Sequence, residues 1–266
     1  MQSPSGKYYT LITGASHGIG MALSEECAGR GMNLYLAALP DSGLPELAAG
    51  LSQKYDLSVE YLEIDLTHEN AHNAVYEDCH KRQISVNALI NNVGVGYNGN
   101  LDKISEEKAA QMIILNMRTT TLMTMKFLTE LKKIPEAYIV NICSLGALSP
   151  LPGKSIYSAS KAYILFFTKA IRHELKKSGI SVSAVFPAGV LTNDLVINRI
   201  RKSGPIARKL VKTPEFIARC TIDGMIGRKE LIFPGSAIKT LFLASYFLPQ
   251  GFVLKYLYKE FLRAQE

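Results

Sequence analysis

The sequence predicts an α/β protein: a doubly wound, Rossmann-type parallel sheet of about seven strands, helices on both faces, and a C-terminal helical extension. Three observations predict it. Short apolar runs alternate with segments of helical length; the runs are apolar at successive positions, as strands covered on both faces are; and the first of them leads straight into a glycine-rich turn that opens a helix. The 266 residues, 47% hydrophobic and 20% charged, suffice for one sizeable core.

The elements follow in order. YYTLIT (8–13) reads as the first strand, and TGASHGIG (13–20) turns into a helix over 18–30. NLYLAA (33–38) and a helix over 44–55 come next, then SVEYLEI (58–64) and a helix over 68–82. VNALINN (86–92) precedes a helical stretch over 105–133 with a break in it, and AYIVNIC (137–143) precedes a helix over 155–177. ISVSAVF (180–186), a helix over 214–227 and the short ELIF (230–233) complete the pattern. With no linker, repeat or low-complexity segment, 1–235 reads as one domain and 236–266 as an apolar and basic helical extension.

Composition excludes several classes. The cysteines Cys27, Cys79, Cys143 and Cys220 are far apart and form no CxxC pair, which supports neither a disulfide framework nor a metal site. A reducing cytoplasm is therefore expected, and MQSPSGK lacks the basic-then-apolar pattern of a secretory leader. The net charge of +7 is uneven: residues 196–266 hold 13 Lys/Arg against 5 Asp/Glu, so the whole positive excess sits in the tail. A solvated basic face accounts for this, as does an anionic partner such as a phospholipid surface or a phosphorylated acyl carrier. No nucleic-acid recognition module accompanies it, so no nucleic-acid partner is expected.

In open parallel sheets, ligands bind outside the carboxyl ends of the strands, where strand order reverses. TGASHGIG stands at such an end. Its glycines let backbone approach a ligand closely, and free amides at a helix N-terminus face an anion. Taken alone it also suits a plain turn, because its spacing is not GxGxxG and no GK[ST] follows to make a P-loop. YSASK (157–161) adds chemistry: Tyr157 and Lys161 fall at i and i+4 on one helix face. A phenol titrates near pH 10 in water, and an ammonium one turn away is expected to lower that value, which suits acid/base work on an alcohol or carbonyl. Ser144 ends the strand AYIVNIC at the same sheet edge, where its hydroxyl is placed to hold a substrate oxygen.

With these residues in place, the chain resembles the short-chain dehydrogenase/reductase family from Tyr8 to about Gly235. TGASHGIG, carrying Gly14, Ser16, His17, Gly18, Ile19 and Gly20, is similar to the family's TGxxxGxG cofactor loop, and YSASK to its YxxxK signature. Asn91-Asn92-Val93-Gly94 resembles the NNAG element, contributing Asn92 and Gly94. Asp65 and the amide of Leu66 stand where the family contacts adenine, and Asn116 matches the asparagine that bends a helix and holds a relay water. Pro187-Ala188-Gly189-Val190-Leu191-Thr192 is similar to the PGxVxT segment beside the nicotinamide, which Pro187, Val190 and Thr192 would contact, with alanine in place of the usual glycine at 188.

The resemblance implies an NAD(P)-dependent oxidoreductase. It moves a hydride between nicotinamide and a small-molecule carbonyl or secondary alcohol, with Tyr157 giving the proton, Ser144 holding the oxygen and Lys161 binding the ribose. Asn116 supports the relay. A homo-oligomer, dimer or tetramer, is expected. The alternative is a silent NAD(P)-binding regulator or scaffold, but the complete set of Asn116, Ser144, Tyr157 and Lys161 favours the enzyme. The second strand ends Ala37-Ala38-Leu39-Pro40-Asp41, with neither the acid that pairs with the ribose of NAD nor the arginine that accommodates the phosphate of NADP. His17 stands where many NADP-dependent relatives carry a basic residue, so NADP is favoured over NAD.

Residues 194–228 fall where the family places its variable substrate lid, and the branched apolar and basic residues of 194–212 suit a hydrophobic acyl, sterol-like or other ketone substrate. The uncharged run over 240–254 is too short to span a membrane and is broken by Pro249 and Gly251, so it reads as two helices joined by LPQG. These helices cover the active-site mouth, form a subunit contact, or rest peripherally on a membrane through 240–263. In the last case Tyr246, Tyr256 and Tyr258 sit at the interface and Lys255, Lys259 and Arg263 face lipid phosphates.

Overall fold

The computed structural model describes residues 8–190, 210–245, 247 and 249–263. Thr192, Tyr246 and the greater part of the expected lid, 194–209, therefore lie outside the described residues.

Seven parallel strands form one sheet in the order β3-β2-β1-β4-β5-β6-β7. These are β1 (Tyr9–Thr13), β2 (Asn33–Ala38), β3 (Val59–Glu63), β4 (Val86–Asn91), β5 (Ala137–Ile142), β6 (Ile180–Val185) and β7 (Leu231–Ile232). The helices between them are α1 (Gly18–Gly29), α2 (Leu44–Tyr55), α3 (Ala71–Lys81), α4 (Glu106–Ile113), α5 (Thr120–Leu131), α6 (Ser155–Glu174) and α7 (Pro214–Ile226). The chain steps outward from β1 to β3, then returns to place β4 on the other side of β1. That reversal opens a crevice between β1 and β4, the position at which such sheets bind ligands.

Neighbouring residues of one strand pack on opposite faces. Ile12 joins Leu23 and Cys27 of α1, Leu44 and Leu51 of α2, and Ile222 and Met225 of α7. Leu11 joins Val75 of α3 and Met123, Phe127 and Leu131 of α5. Both strand residues are fully buried, which is why the sequence shows unbroken apolar runs. Helix ends follow local chemistry: Ser105 accepts from the Lys108 amide ahead of Glu106 and Glu107, and Thr213 accepts from the Phe216 amide ahead of Pro214.

The break expected within 105–133 is a π-helical turn, Ile114–Thr119, between α4 and α5. Inserting a wider turn rotates the helix face and carries Asn116 into the interior, where it is 1% exposed. Beyond β7, α8 (Ser236–Ser245) and α9 (Gln250–Arg263) form the two tail helices read from the sequence. Phe242 of α8 meets Phe186 and Phe233 with ring centroids 5.5 and 4.9 Å apart. Phe261 of α9 is buried and lies over Gly153, where a Cβ would come within 1.9 Å of its ring.

The turn from β1 into α1 is the tightest point of the crevice. A Cβ on Gly20 would stand 1.9 Å from the Gly14 carbonyl oxygen and 2.7 Å from Asn92 Nδ2. Backbone cannot yield cheaply to that overlap, so Gly20→Ala is expected to cost about 3 kcal/mol. Thermal denaturation should show the melting temperature lowered by about 10 °C; an unchanged melt would contradict this packing.

Candidate active site

The crevice is held in shape by two side chains. Thr13 ends β1 fully buried; its hydroxyl donates to the Ile90 carbonyl (3.4 Å) and accepts from the amides of Asn92 (3.1 Å) and Val93 (3.2 Å). Asn92 returns the tie, its Nδ2 donating to the carbonyls of Thr13 and Gly14, each at 3.0 Å. Gly14 and Gly18 take left-handed φ values of 63° and 55°, which favour glycine. His17 precedes α1 in extended conformation and caps no amide, and no acid stands in the first turn. Its Nδ1 lies 2.9 Å from Ser16 Oγ. The first amides of α1 are thus left for an anion, so the loop from Gly14 to Gly20, with Ile19 packed against the core, fits a pyrophosphate.

At the neighbouring strand end, Asp65 Oδ1 accepts from the Thr67 amide (2.8 Å), which turns the chain just after β3. Leu66 is buried, and its carbonyl accepts from Thr119 Oγ1 (3.0 Å). Arg118 donates to the carbonyls of Thr67 (2.7 Å) and His68 (3.0 Å). The π-turn therefore braces the loop of Asp65. At the end of β2, Ala38 is buried and Leu39 exposed. Asp41 adopts a left-handed turn with φ 55°, and its amide donates to Glu63 Oε1 (3.1 Å).

The π-turn also carries the link to α6. Asn116 Oδ1 accepts from the Val95 amide (2.9 Å), while its Nδ2 donates to the Val95 carbonyl (3.0 Å) and to Ser160 Oγ (2.9 Å). Ser160 in turn donates to the Tyr157 carbonyl (2.7 Å). Both amide hydrogens of Asn116 thus tie the loop after β4 to the turn of α6 that bears Tyr157. The loop can run this close because it is glycine-rich: a Cβ on Gly94 would be 2.8 Å from Asn116 Oδ1 and 3.4 Å from Lys161 Nζ, and one on Gly96 would be 3.3 Å from the Tyr157 ring.

Ser144 follows β5 with extended backbone; its Oγ accepts from the Gly146 amide (3.0 Å) and is hydrogen-bonded to the Tyr157 phenol. Lys161 is 6% exposed, its Nζ donating to the Ile142 carbonyl (2.9 Å) and standing 5.9 Å from the Tyr157 ring centroid. The expected lowering of the Tyr157 pKa by Lys161 is not what the structure gives. Burial raises the phenol, with the Ser144 hydrogen bond pulling the other way, and burial likewise lowers the Lys161 ammonium. In the protein alone, therefore, Tyr157 is held as a neutral acid beside Ser144. Cys143 is no nucleophile: burial pushes its thiol up to about 11, and its sulfur contacts the Lys161 carbonyl at 3.2 Å.

Pro187 continues the site past β6, its carbonyl accepting from the Leu145 amide (2.9 Å). Val190 bridges to Lys212, and Lys212 donates its amide to the Gly189 carbonyl (3.1 Å). Ala188 has no left-handed φ, so alanine serves where glycine was expected. The structure thus gathers Ser144, Tyr157, Lys161 and Asn116 at the carboxyl edge of β5, with Asn92 and Gly94 on the opposing loop. Thr13, Gly96, Arg118, Thr119 and Ser160 support the site without having been singled out in the sequence. Only a hydroxyl at the end of β1 and the second glycine of NNVGVG were visible signals.

A parallel sheet with an anion cradle at its reversal point and a tyrosine, serine and lysine at the next strand end defines a dinucleotide-binding oxidoreductase class. The chain belongs to the short-chain dehydrogenase family, whose model matches residues 9–200. It is 32% identical over 204 residues to putative steroid dehydrogenase 2 of Caenorhabditis elegans, covering 72% of this chain and 62% of that one. It is 27% identical over 213 residues to the very-long-chain 3-oxoacyl-CoA reductase of Bos taurus, covering 77% and 66%. The chain thus spans about three fifths to two thirds of the length of these relatives. Among solved structures, a short-chain dehydrogenase from Sphingobium yanoikuyae in complex with NADPH matches with a TM-score of 0.78 and 30% identity, over 92% of this chain and 95% of that one.

The Thr13 hydroxyl serves two part-buried amides at once, and valine would remove the acceptor of both. Thr13→Val is expected to cost about 2 kcal/mol in urea denaturation and to weaken dinucleotide binding by opening the crevice. Unchanged stability and binding would show that the clamp is dispensable.

Proposed function

We propose that this chain is a nicotinamide-dependent reductase of hydrophobic carbonyl compounds, working in reverse on secondary alcohols. The observation that carries the reading is the convergence of Tyr157, Ser144 and Lys161 at the sheet edge beside the anion cradle. The loop Gly14–Gly20 and the first turn of α1 would hold the pyrophosphate, Asp65 and Leu66 the adenine, Asn92 and Gly94 the adjoining ribose, and Lys161 the nicotinamide ribose. Pro187, Val190 and Thr192 would border the nicotinamide ring, which supplies or accepts the hydride.

The chain's own part is proton handling and orientation. Ser144 donates to the carbonyl oxygen and fixes it against Tyr157. The neutral phenol gives its proton to that oxygen as the alcohol forms, and the Lys161 ammonium stabilises the phenolate left behind. Asn116 and Ser160 hold the turn of α6 so that these distances do not drift. A silent scaffold has no use for a buried phenol hydrogen-bonded to a serine.

The absence of an acid at the end of β2 and the exposed His17 beside the cradle support NADP over NAD, as does the NADPH complex of the Sphingobium relative. The steroid and 3-oxoacyl-CoA names of the relatives support a small-molecule substrate of lipid character. A homo-oligomer is supported by Met125 of α5 and Phe166 of α6, both exposed. Cytoplasmic placement is supported by the free cysteines. Among the described residues no helix is long and apolar enough to cross a membrane.

Assay of the purified protein across ketones, 3-oxosteroids and 3-oxoacyl thioesters should give NADPH-dependent reduction that Tyr157→Phe lowers by about 10³-fold. Turnover unaffected by that substitution would remove the mechanism. Fluorescence titration should show NADPH bound at least about tenfold more tightly than NADH, a difference of about 1.4 kcal/mol; the reverse order would reassign the cofactor. Because burial keeps the phenol protonated, reductive kcat/KM is expected to stay level from about pH 6 to about pH 9 while the oxidative rate climbs with pH. A reductive profile falling through neutral pH in a Lys161→Arg variant, whose side chain stays charged there, would contradict the direction of the Tyr157 shift.

A further inference from the structure

The two tail helices bury one face and leave a very different one in solvent. On the inner side, Ile238 and Phe242 of α8 pack into the cluster around Phe186, and Phe261 of α9 seats over Gly153. On the outer side, Lys239 and Leu243 stand one turn apart on α8, and Phe247 lies in the turn that follows it. Phe252, Lys255, Lys259 and Leu262 share the face of α9 opposite Phe261. Phe247 is 86% exposed, Phe252 70%, Leu243 52% and Leu262 44%. Each large apolar side chain left in water forgoes about 1.5–3 kcal/mol of burial. Four of them on two successive short helices and the turn between exceed the scattered exposure ordinary for a soluble surface.

The charge on that face selects the occupant. Residues 236–263 contain four Lys/Arg and one acid, Glu260. Lys239, Lys255 and Lys259 are exposed among the aromatic residues. A second copy docking through the same patch about a two-fold axis would bring two lysine-bearing faces together. Anionic headgroups would neutralise them instead. Exposed aromatic and branched side chains interleaved with lysine on one helix face are the composition of a helix that lies in the headgroup layer.

We propose that the outer face of α8 and α9 docks this protein on a bilayer surface bearing anionic lipids. Phe247, Phe252, Leu243 and Leu262 enter the acyl boundary, and Lys239, Lys255 and Lys259 pair with phosphates. The inner face then gains a role. Gly153, which Phe261 covers, also lines the cleft formed by Tyr97, Leu101, Met112 and Tyr157, so docking brings that apolar cleft next to the lipid. Phe247, Phe252, Lys255 and Lys259 are not residues of the site of Ser144, Tyr157 and Lys161, so binding and turnover are measured separately.

The test is co-sedimentation of the purified full chain with phosphatidylcholine vesicles, with and without about 30 mol% phosphatidylserine. Binding is expected with the anionic vesicles, weakening at raised salt. Phe247→Ser combined with Phe252→Ser, and separately Lys255→Glu combined with Lys259→Glu, should each lower it at least tenfold. Melting temperature and reduction of a short soluble ketone should be unaltered in both variants. No sedimentation with anionic vesicles, or equal sedimentation of wild type and variants, overturns the proposal. So does a dimer, seen by analytical ultracentrifugation without lipid, that the phenylalanine substitutions dissociate, since that assigns the face to a second copy.

Discussion

The buried ammonium of Lys161 is the constraint around which the site is arranged. Among the described residues its hydrogen-bond partner is the Ile142 carbonyl, at the end of β5. An ammonium carries three donors, and withdrawing it from water costs several kcal/mol that one carbonyl does not offset. Burial accordingly lowers its pKa. Among the described residues no second acceptor is hydrogen-bonded to it, and under the proposed function ribose hydroxyls would meet that need. In the proposed mechanism the Lys161 ammonium would stabilise the phenolate when Tyr157 gives up its proton.

Much of the surrounding structure serves to hold that charge in place. The π-turn between α4 and α5 carries Asn116 inward, and Asn116 ties the Val95 loop to Ser160, one residue before the lysine. Gly94 leaves room for the ammonium, and Gly96 for the ring of Tyr157. Thr119 and Arg118, from the same turn, brace the loop after β3. A change in the π-turn therefore reaches both the turn of α6 that bears Tyr157 and the loop of Asp65. Thr13 and Asn92 hold the other wall, so the two sides of the crevice are fixed by different elements.

The strands were legible because they are buried on both faces: β2 and α2 fall on their expected bounds, and each remaining strand differs by a residue at one end or both. Helix α3 begins three residues later than expected, at Ala71, because the turn at Asp65 first carries the chain through 67–70. The break before α5 was readable, but not its π geometry. ILNMRT contains no proline or glycine, and its shape follows from hydrogen bonds to residues 21 to 53 positions away. Thr13 and Ser160 were overlooked for the same reason: their partners lie far along the chain or across it. The direction of the Tyr157 shift was misjudged because an i, i+4 spacing reveals a neighbour and says nothing of burial, which here is the larger effect. In the tail, Lys255, Tyr258 and Lys259, which are exposed, were named from the sequence, but not Leu243, Phe247, Phe252 and Leu262, whose exposure depends on what the opposite helix faces bury.

The most direct test of this account is Lys161→Met, read by thermal denaturation of the protein without cofactor and by NADPH titration. Methionine keeps the length of the stem and removes a buried charge, a change that is often neutral or stabilising by about 1–4 kcal/mol. The expected result is a melting temperature equal to or above that of the wild type, with NADPH affinity reduced at least tenfold. A destabilised protein that binds NADPH as tightly as the wild type would show that Lys161 is a structural residue and that the charge is not held for the cofactor.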